Sequence, residues 1–366
     1  MATGMQSSED MELYNRTAFL PPATYRLPPV WRRTLLSLAL VSFLVALRIV
    51  SAAARFESGT LQVQRPLMGT MWNIEVVDRG QPDAASRAVD RAYAELERID
   101  ALMSEWKPDS PISKVNAAAG KNAVVVPEEL RALIARSVWY GENSQGTFDI
   151  TWHGMAHIWH FDDTFQPPSQ AAVDAARRNV NFHAIEIDGD RVFLPKAGMS
   201  IGLGGIAKGY AIDRATQVLA RAGFRNSLVD GGGDVLVSGT REDGSPWRVG
   251  IQDPRQDRGK LLGVVRSSNR AVVTSGDYER FRIVNGVRYH HIIDPRTGWP
   301  ATGSISVTVM AESAERAVVL AKPIFILGPE EGLAFAKAEG VEALIIDPQG
   351  KRCATEGFAR VLDQNQ

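Results

Sequence analysis

A chain of 366 residues, 45% hydrophobic and 23% charged, has the makeup of a folded protein with material for one large core, which excludes a disordered or fibrous chain. Its 41 basic and 42 acidic residues leave a formal charge of −1, so no overall field draws it to DNA, RNA or an anionic membrane, and no nucleic-acid partner is expected. The single cysteine, Cys353, excludes an intramolecular disulfide and a cysteine-based zinc cluster.

Near the N-terminus, Arg32-Arg33 precedes an uncharged run from Thr34 to Leu47, followed by Arg48-Ile-Val-Ser-Ala-Ala-Ala54. The run is shorter than the roughly 20 residues of a membrane span and fits a signal-peptide core, with Ala52-Ala53-Ala54 as the cleavage candidate. Arg32-Arg33-Thr34-Leu35-Leu36 resembles a twin-arginine signal. The other reading is an uncleaved anchor with Arg48 at the interface. Both divide the chain into a targeting region, 1–54, and one domain, 55–366, that is periplasmic or held on the outer side of the inner membrane. No cysteine stands directly after the run, so a lipoprotein anchor is not expected.

Met71 to Val77 reads as a strand. A helix follows in which Ala85, Val89, Ala92, Leu96, Ile99 and Met103 recur at spacings of four and three. Pro127 opens a helix over Glu128 to Val138, and Ile206 to Ala222 is a helix closed by Gly223. Short β-rich runs then alternate with Gly and Asp turns: Ser227 to Val229, Trp247 to Gln252, Leu261 to Val265, Ala271 to Thr274 and Ile305 to Met310. Helices from Glu312 and Glu330 lead to a strand at Ala343 to Ile346. This order predicts an α+β fold, a mixed, largely antiparallel sheet with packed helices.

The densest chemical signal is Ser200-Ile-Gly-Leu-Gly-Gly-Ile-Ala-Lys-Gly-Tyr-Ala-Ile-Asp213, a glycine turn entering a helix. Such a turn suits a phosphate at the helix start, with Lys208 adding charge, or else allows tight helix packing. Asp230-Gly-Gly-Gly-Asp234 and Thr274-Ser275-Gly276-Asp277 read as two further turns. In Tyr289-His-His-Ile-Ile-Asp-Pro-Arg-Thr-Gly298, Asp294 and Thr297 can converge on a hard cation, and His291 can move a proton. The plainer reading is a turn whose Asp294 caps local N–H groups. His153, His157 and His160 mimic metal ligands on one helical face, but Gly154, Trp152 and Trp159 point instead to an aromatic loop with local packing.

Taken in order, Met68-Gly69-Thr70, Ser104 to Asn116, Thr147-Phe148-Asp149, Gly204 to Asp213, Asp230 to Asp234, Thr274-Ser275-Gly276 and His291 to Gly298 resemble the ApbE family of FAD:protein FMN transferases, from about Pro66 to Gly328. The resemblance implies a FAD site using Met68, Trp106, Thr147, Phe148, Asp149, Lys208, Thr274 and Ser275. It implies magnesium held by the Gly205 carbonyl, Asp294 and Thr297, and a catalytic His291. FAD is then a substrate, AMP leaves, and FMN passes to a Ser or Thr hydroxyl of an acceptor flavoprotein. With water as attacker the same site is a FAD pyrophosphatase, and without activity it is an exported FAD-binding accessory. Twin-arginine export in this family resembles the proteins that flavinylate the membrane regulator of nitrous-oxide respiration, so the implied acceptor lies outside the cytoplasm and includes membrane redox proteins.

The chain departs from the family pattern in two places. Gly202-Leu203-Gly204 stands where relatives usually have Asp-Leu-Gly, so a ligand-facing carboxylate is missing. Val318, Lys322 and Pro323 stand where relatives often have Asp, Thr and Ala, and Pro323 is expected to bend its helix.

Overall fold

In the computed structural model, which describes residues 53–57 and 59–363, alternating apolar residues build a 9-stranded sheet. Its strands are β1 (Ala53–Glu57), β2 (Thr60–Leu67), β3 (Thr70–Val77), β4 (Ser227–Gly231), β5 (Asp234–Ser238), β6 (Arg270–Gly276), β7 (Ser306–Ala311), β8 (Glu342–Ile346) and β9 (Arg352–Ala354). Each lies beside its predecessor and runs antiparallel to it. The α+β expectation is met, with a sheet antiparallel throughout.

Helices occupy the long connections, α1 (Pro82–Met103), α2 (Pro111–Ala117), α3 (Glu128–Asn143), α4 (Gln170–Arg177), α5 (Ala207–Arg221) and α6 (Ala314–Ala338), and α7 (Glu356–Val361) follows β9. Ala271 and Val273, Val307 and Val309, and Ala343 and Ile345 join the core cluster that holds the buried faces of α1, α5 and α6. Val272, Met310, Leu344 and Ile346, from the same strands, join a second cluster with Trp247, Val249, Val265 and Phe358. Period-two alternation thus feeds two buried layers. The second is closed by α7 and by a 3-stranded sheet of 247–252, 261–267 and 362–363. The predicted stripe on α1 is buried along its whole length, and Leu96→Ala there would cost about 2–5 kcal/mol.

Arg32-Arg33, the apolar run and Ala52 lie outside the described residues. Among the described residues no helix is long and apolar enough to cross a membrane. The described residues form one compact unit.

Two local expectations are corrected. Thr274-Ser275-Gly276 is the end of β6 and not a turn, because its backbone pairs with Thr308, Val307 and Ser306 of β7. The α6 helix keeps helical geometry through Pro323 and breaks at Gly328 (φ 78°, ψ −172°). Close approach to Gly303, whose carbonyl oxygen would lie 3.1 Å from a Cβ at Gly328, together with the positive φ, makes glycine the fitting residue there.

Candidate functional site

The glycine turn before α5 is held from three sides. Asn116 pairs with Ile201 like a short strand, its Nδ2 donating to the Ile201 carbonyl (2.9 Å) and its Oδ1 accepting the Ile201 N–H (2.7 Å). The Gly202 N–H donates to the Ile150 carbonyl at 2.9 Å. Glu105 Oε1 lies 3.8 Å from where a Gly204 Cβ would be, and burial raises the Glu105 pKa. Gly209 lets α5 meet α6, since a Cβ there would come within 2.4 Å of the Ala314 carbonyl oxygen. Asp213 then accepts the Ala314 and Glu315 N–H groups (2.7 and 2.9 Å) at the start of α6, and burial pushes its pKa up to about 6. Much of the Gly204 to Asp213 motif is therefore helix docking, which fixes Lys208 on α5 relative to Lys322 on α6.

One of those lysines pairs with a carboxylate and the other lies within its electrostatic reach. Lys208 Nζ lies 2.6 Å from Asp234 Oδ2, and Asp234 is buried. Lys322 couples to Asp234 and Lys208, donates its ammonium to the Val318 carbonyl at 2.7 Å, and is pushed down to about 8 by burial. Its Cε lies 4.0 Å from the position a Gly205 Cβ would take, with the Phe148 ring on the same side at 3.1 Å. His291 feels the same lysine. Burial first, then His290, Arg280 and Lys322, push its pKa down to about 3, and its buried Nδ1 has no hydrogen-bond partner. The neighbouring His290 is structural, with Nε2 at 2.8 Å from the Ala301 carbonyl and Nδ1 accepting the Ile292 N–H at 3.3 Å.

The Asp230 to Asp234 hairpin meets the Met68-Gly69 loop. Gly232 N–H donates to the Met71 carbonyl at 3.1 Å, and a Cβ at Gly232 would fall 2.3 Å from Thr70 Oγ1. Met68 (φ 49°) and Gly69 (φ 72°) form a two-residue hairpin loop, which places a long side chain in the left-handed region. Trp106 is 78% exposed and stands edge-on to His153, 6.0 Å between ring centres. These two and Ser200 line a shallow hollow of about 330 Å³. His153 Nδ1 lies 2.8 Å from Ser200 Oγ, and the His153 side chain fills the space where a Gly202 Cβ would sit, 2.9 Å from its own Cβ.

Other expected ligand residues are engaged within the fold. Thr147 Oγ1 donates to the Ser144 carbonyl (2.7 Å). Asp149 caps the 3-10 helix Ile150–Ile158 by accepting the Thr151 N–H (2.7 Å) and hydroxyl (2.6 Å), and it accepts the Phe182 N–H (3.2 Å). Thr274 shares a hydrogen bond with Thr308 (2.9 Å), and Ser275 follows it in β6. Asp277, the last residue of the Thr274 to Asp277 motif, accepts from Arg255 Nη1 and Nη2, each at 2.8 Å.

The side chains implied for magnesium, Asp294 and Thr297, have partners in their own turn. Arg296 contacts both Asp294 carboxylate oxygens (2.8–3.2 Å), and its N–H donates to one of them, which is the capped-turn reading. Thr297 Oγ1 accepts the Trp299 N–H at 3.2 Å and lies 3.4 Å from the Asp294 carbonyl. That turn rests on α4, where Arg177 donates to the Arg296 carbonyl (2.7 Å), whereas Gly205 faces Phe148 and Lys322. Among the described residues no three His, Cys, Asp or Glu side chains gather as a metal site, His153, His157 and His160 included.

Motif reading passed over Glu105, His153, Asp234 and Lys322 as site residues. Asp234 was within reach, since it closes the Asp-Gly-Gly-Gly-Asp turn, and Lys322 was visible as a departure from the family pattern.

The ApbE family model matches residues 68–345. A FAD:protein FMN transferase of Treponema pallidum is 33% identical over 319 residues, 81% of this chain and 88% of that protein. One of Vibrio cholerae is 29% identical over 337 residues, 88% and 99% of the two chains. The crystal structure of the ApbE protein from Thermotoga maritima superposes with a TM-score of 0.75 at 32% identity, covering 83% of this chain and 99% of that one.

Proposed function

The chain belongs to the ApbE family, and on that premise we propose that it transfers FMN from FAD to a Ser or Thr hydroxyl of an acceptor protein, releasing AMP. The acceptor oxygen attacks the FMN-side phosphorus, the bond from that phosphorus to the AMP oxygen breaks, and the hydroxyl proton must be taken up. Catalysis of such a displacement is positioning and charge neutralisation. The observation that carries the reading is Lys208, paired with Asp234, and the Lys322 stem beside Gly205 at a glycine-rich helix start. The lysines and the first N–H groups of α5 face developing phosphate charge. Burial keeps His291 neutral and holds its pKa down at about 3, so for it to take the hydroxyl proton the arriving phosphate charge must raise that pKa and Nδ1 must be uncovered; Trp106 offers a flat exposed face to a flavin or adenine ring.

No step is routed through magnesium, because the implied donors are otherwise engaged. The test is incubation of the purified chain with FAD and an acceptor, with magnesium and with chelator. Flavin-labelled acceptor supports the proposal, whereas FMN and AMP without label make the chain a pyrophosphatase. Bound but unchanged FAD favours a non-catalytic accessory, a reading supported by His153 filling the space beside Gly202. Arg32-Arg33 supports export, so the proposed acceptor lies outside the cytoplasm. Loss of periplasmic accumulation on replacing both arginines by lysine is the check on that route.

A further inference from the structure

We propose that the Lys322 ammonium stands in for a divalent cation beside Gly205, so that this chain holds the FAD diphosphate on Lys322 and Lys208 without requiring magnesium. The inference rests on the flavin-transferase reading and deepens it.

Positions 318 and 322 lie one turn apart on α6, and their adjacency is visible in the 2.7 Å bond from Lys322 Nζ to the Val318 carbonyl. Asp and Thr at these positions would set a carboxylate and a hydroxyl side by side, the oxygen pair a hard cation takes. Val318 offers no side-chain donor, and Lys322 offers a positive charge. The lysine stem lies against Gly205, whose carbonyl is the remaining implied ligand, 4.0 Å from the glycine's missing Cβ. The ammonium itself is held at the Val318 carbonyl, one turn back on α6, where its charge would repel a divalent ion bound nearby, and a lysine is a compact point charge suited to phosphate oxygens. Asp234 pairs with Lys208 at 2.6 Å, and Asp230 also acts on Lys208, whereas among the described residues Lys322 makes no ion pair and its ammonium donates to a carbonyl. The close docking of α5 on α6 at Gly209 fixes the spacing of the two lysines.

The experiment is FAD titration of the full purified chain by flavin fluorescence, in chelator and in millimolar magnesium, with calorimetry of magnesium alone. Equal FAD affinity in both buffers and no heat of magnesium binding are expected. Lys322→Met should weaken FAD about tenfold in both buffers, as loss of one charge-assisted contact does. Lys322→Arg should keep most of the affinity, and Val318→Asp with Lys322→Thr should make it magnesium-dependent. Magnesium-dependent FAD binding by the unaltered chain would overturn the proposal, as would full affinity in Lys322→Met. If circular dichroism shows that Lys322→Met does not fold, the unaltered chain's magnesium titration and Lys322→Arg still decide. Absence of FAD binding in every buffer would overturn the flavin reading itself.

Discussion

At the Asp294 turn both carboxylate oxygens and the Thr297 hydroxyl already have partners in their own loop, whereas beside the Gly204 turn Lys208 pairs with Asp234, Lys322 has only a carbonyl for its ammonium, and the buried His291 Nδ1 has no partner. Both turns carry family motifs, and both looked like ligand sites in the sequence. The difference lies in saturation. A polar group satisfied by its neighbours fixes the backbone, and one left unsatisfied at a net charge is what a substrate can meet.

The sharpest way to break this comparison is His291→Ala. Proton transfer by a positioned side chain contributes about 10²–10⁴-fold, so FMN transfer should fall by that order while FAD affinity, read by fluorescence, stays nearly unchanged. Full turnover would move the base elsewhere. The same variant should also alter acid stability. His291 titrates near 3 when folded, against about 6.5 in an unfolded chain, so between these values the unfolded state takes up the proton first. Stability then falls as pH is lowered, by up to about 1.4 kcal/mol per unit, and urea melts of His291→Ala should show a flatter slope over that window.

Gly202→Asp sharpens the comparison on the other side of the glycine turn. Restoring the family carboxylate drives its Cβ to 2.9 Å from the His153 Cβ, so the single variant should lose about 1–3 kcal/mol. Adding His153→Gly, which removes the Cβ as well as the ring, should recover most of the steric part of that loss, a coupling that thermal melts of the two singles and the double would reveal. Additive losses would mean that the two sites do not compete for one space. Asp294→Asn comes next, with an expected cost of about 1 kcal/mol from the broken contact with half-exposed Arg296 and no change in the response to magnesium. A raised magnesium requirement in that variant would restore Asp294 as a metal ligand. Trp106→Ala should move the melting midpoint least, within about 0.5 kcal/mol of the unaltered chain, because its ring is exposed. It should weaken FAD several-fold if the ring stacks on the ligand, and an unchanged FAD titration would exclude stacking.

The framework was legible in the sequence where periodicity speaks for burial. The α1 stripe and the runs Ala271 to Thr274 and Ile305 to Met310 all fell where apolar spacing placed them. Thr274-Ser275-Gly276 misled because its composition is that of a turn, while pairing with β7 decided its conformation. Pro323 misled for a related reason: the helix broke instead at the glycine that packs on Gly303. Thr147 and Asp149 stood out as motif residues, but a motif cannot say whether a side chain faces a ligand or its own backbone. Lys322 was legible only as an exception, since its charge neighbours arrive from α5 and the β4–β5 hairpin, far away in the chain.

Because the sheet follows chain order, its longest excursion lies between neighbours: roughly 150 residues separate Val77 of β3 from Ser227 of β4. Met68 and Thr70 lie on one side of that seam and Asp230 to Asp234 on the other, while Trp106 and Lys208 lie within the excursion itself. A chain in which β3 and β4 have not met has helices and hairpins but no site. Anything that binds across the seam therefore draws its affinity from the most distant pairing in the sheet and stabilises that pairing in return, so in this fold ligand occupancy and completion of the chain's longest loop closure are one equilibrium.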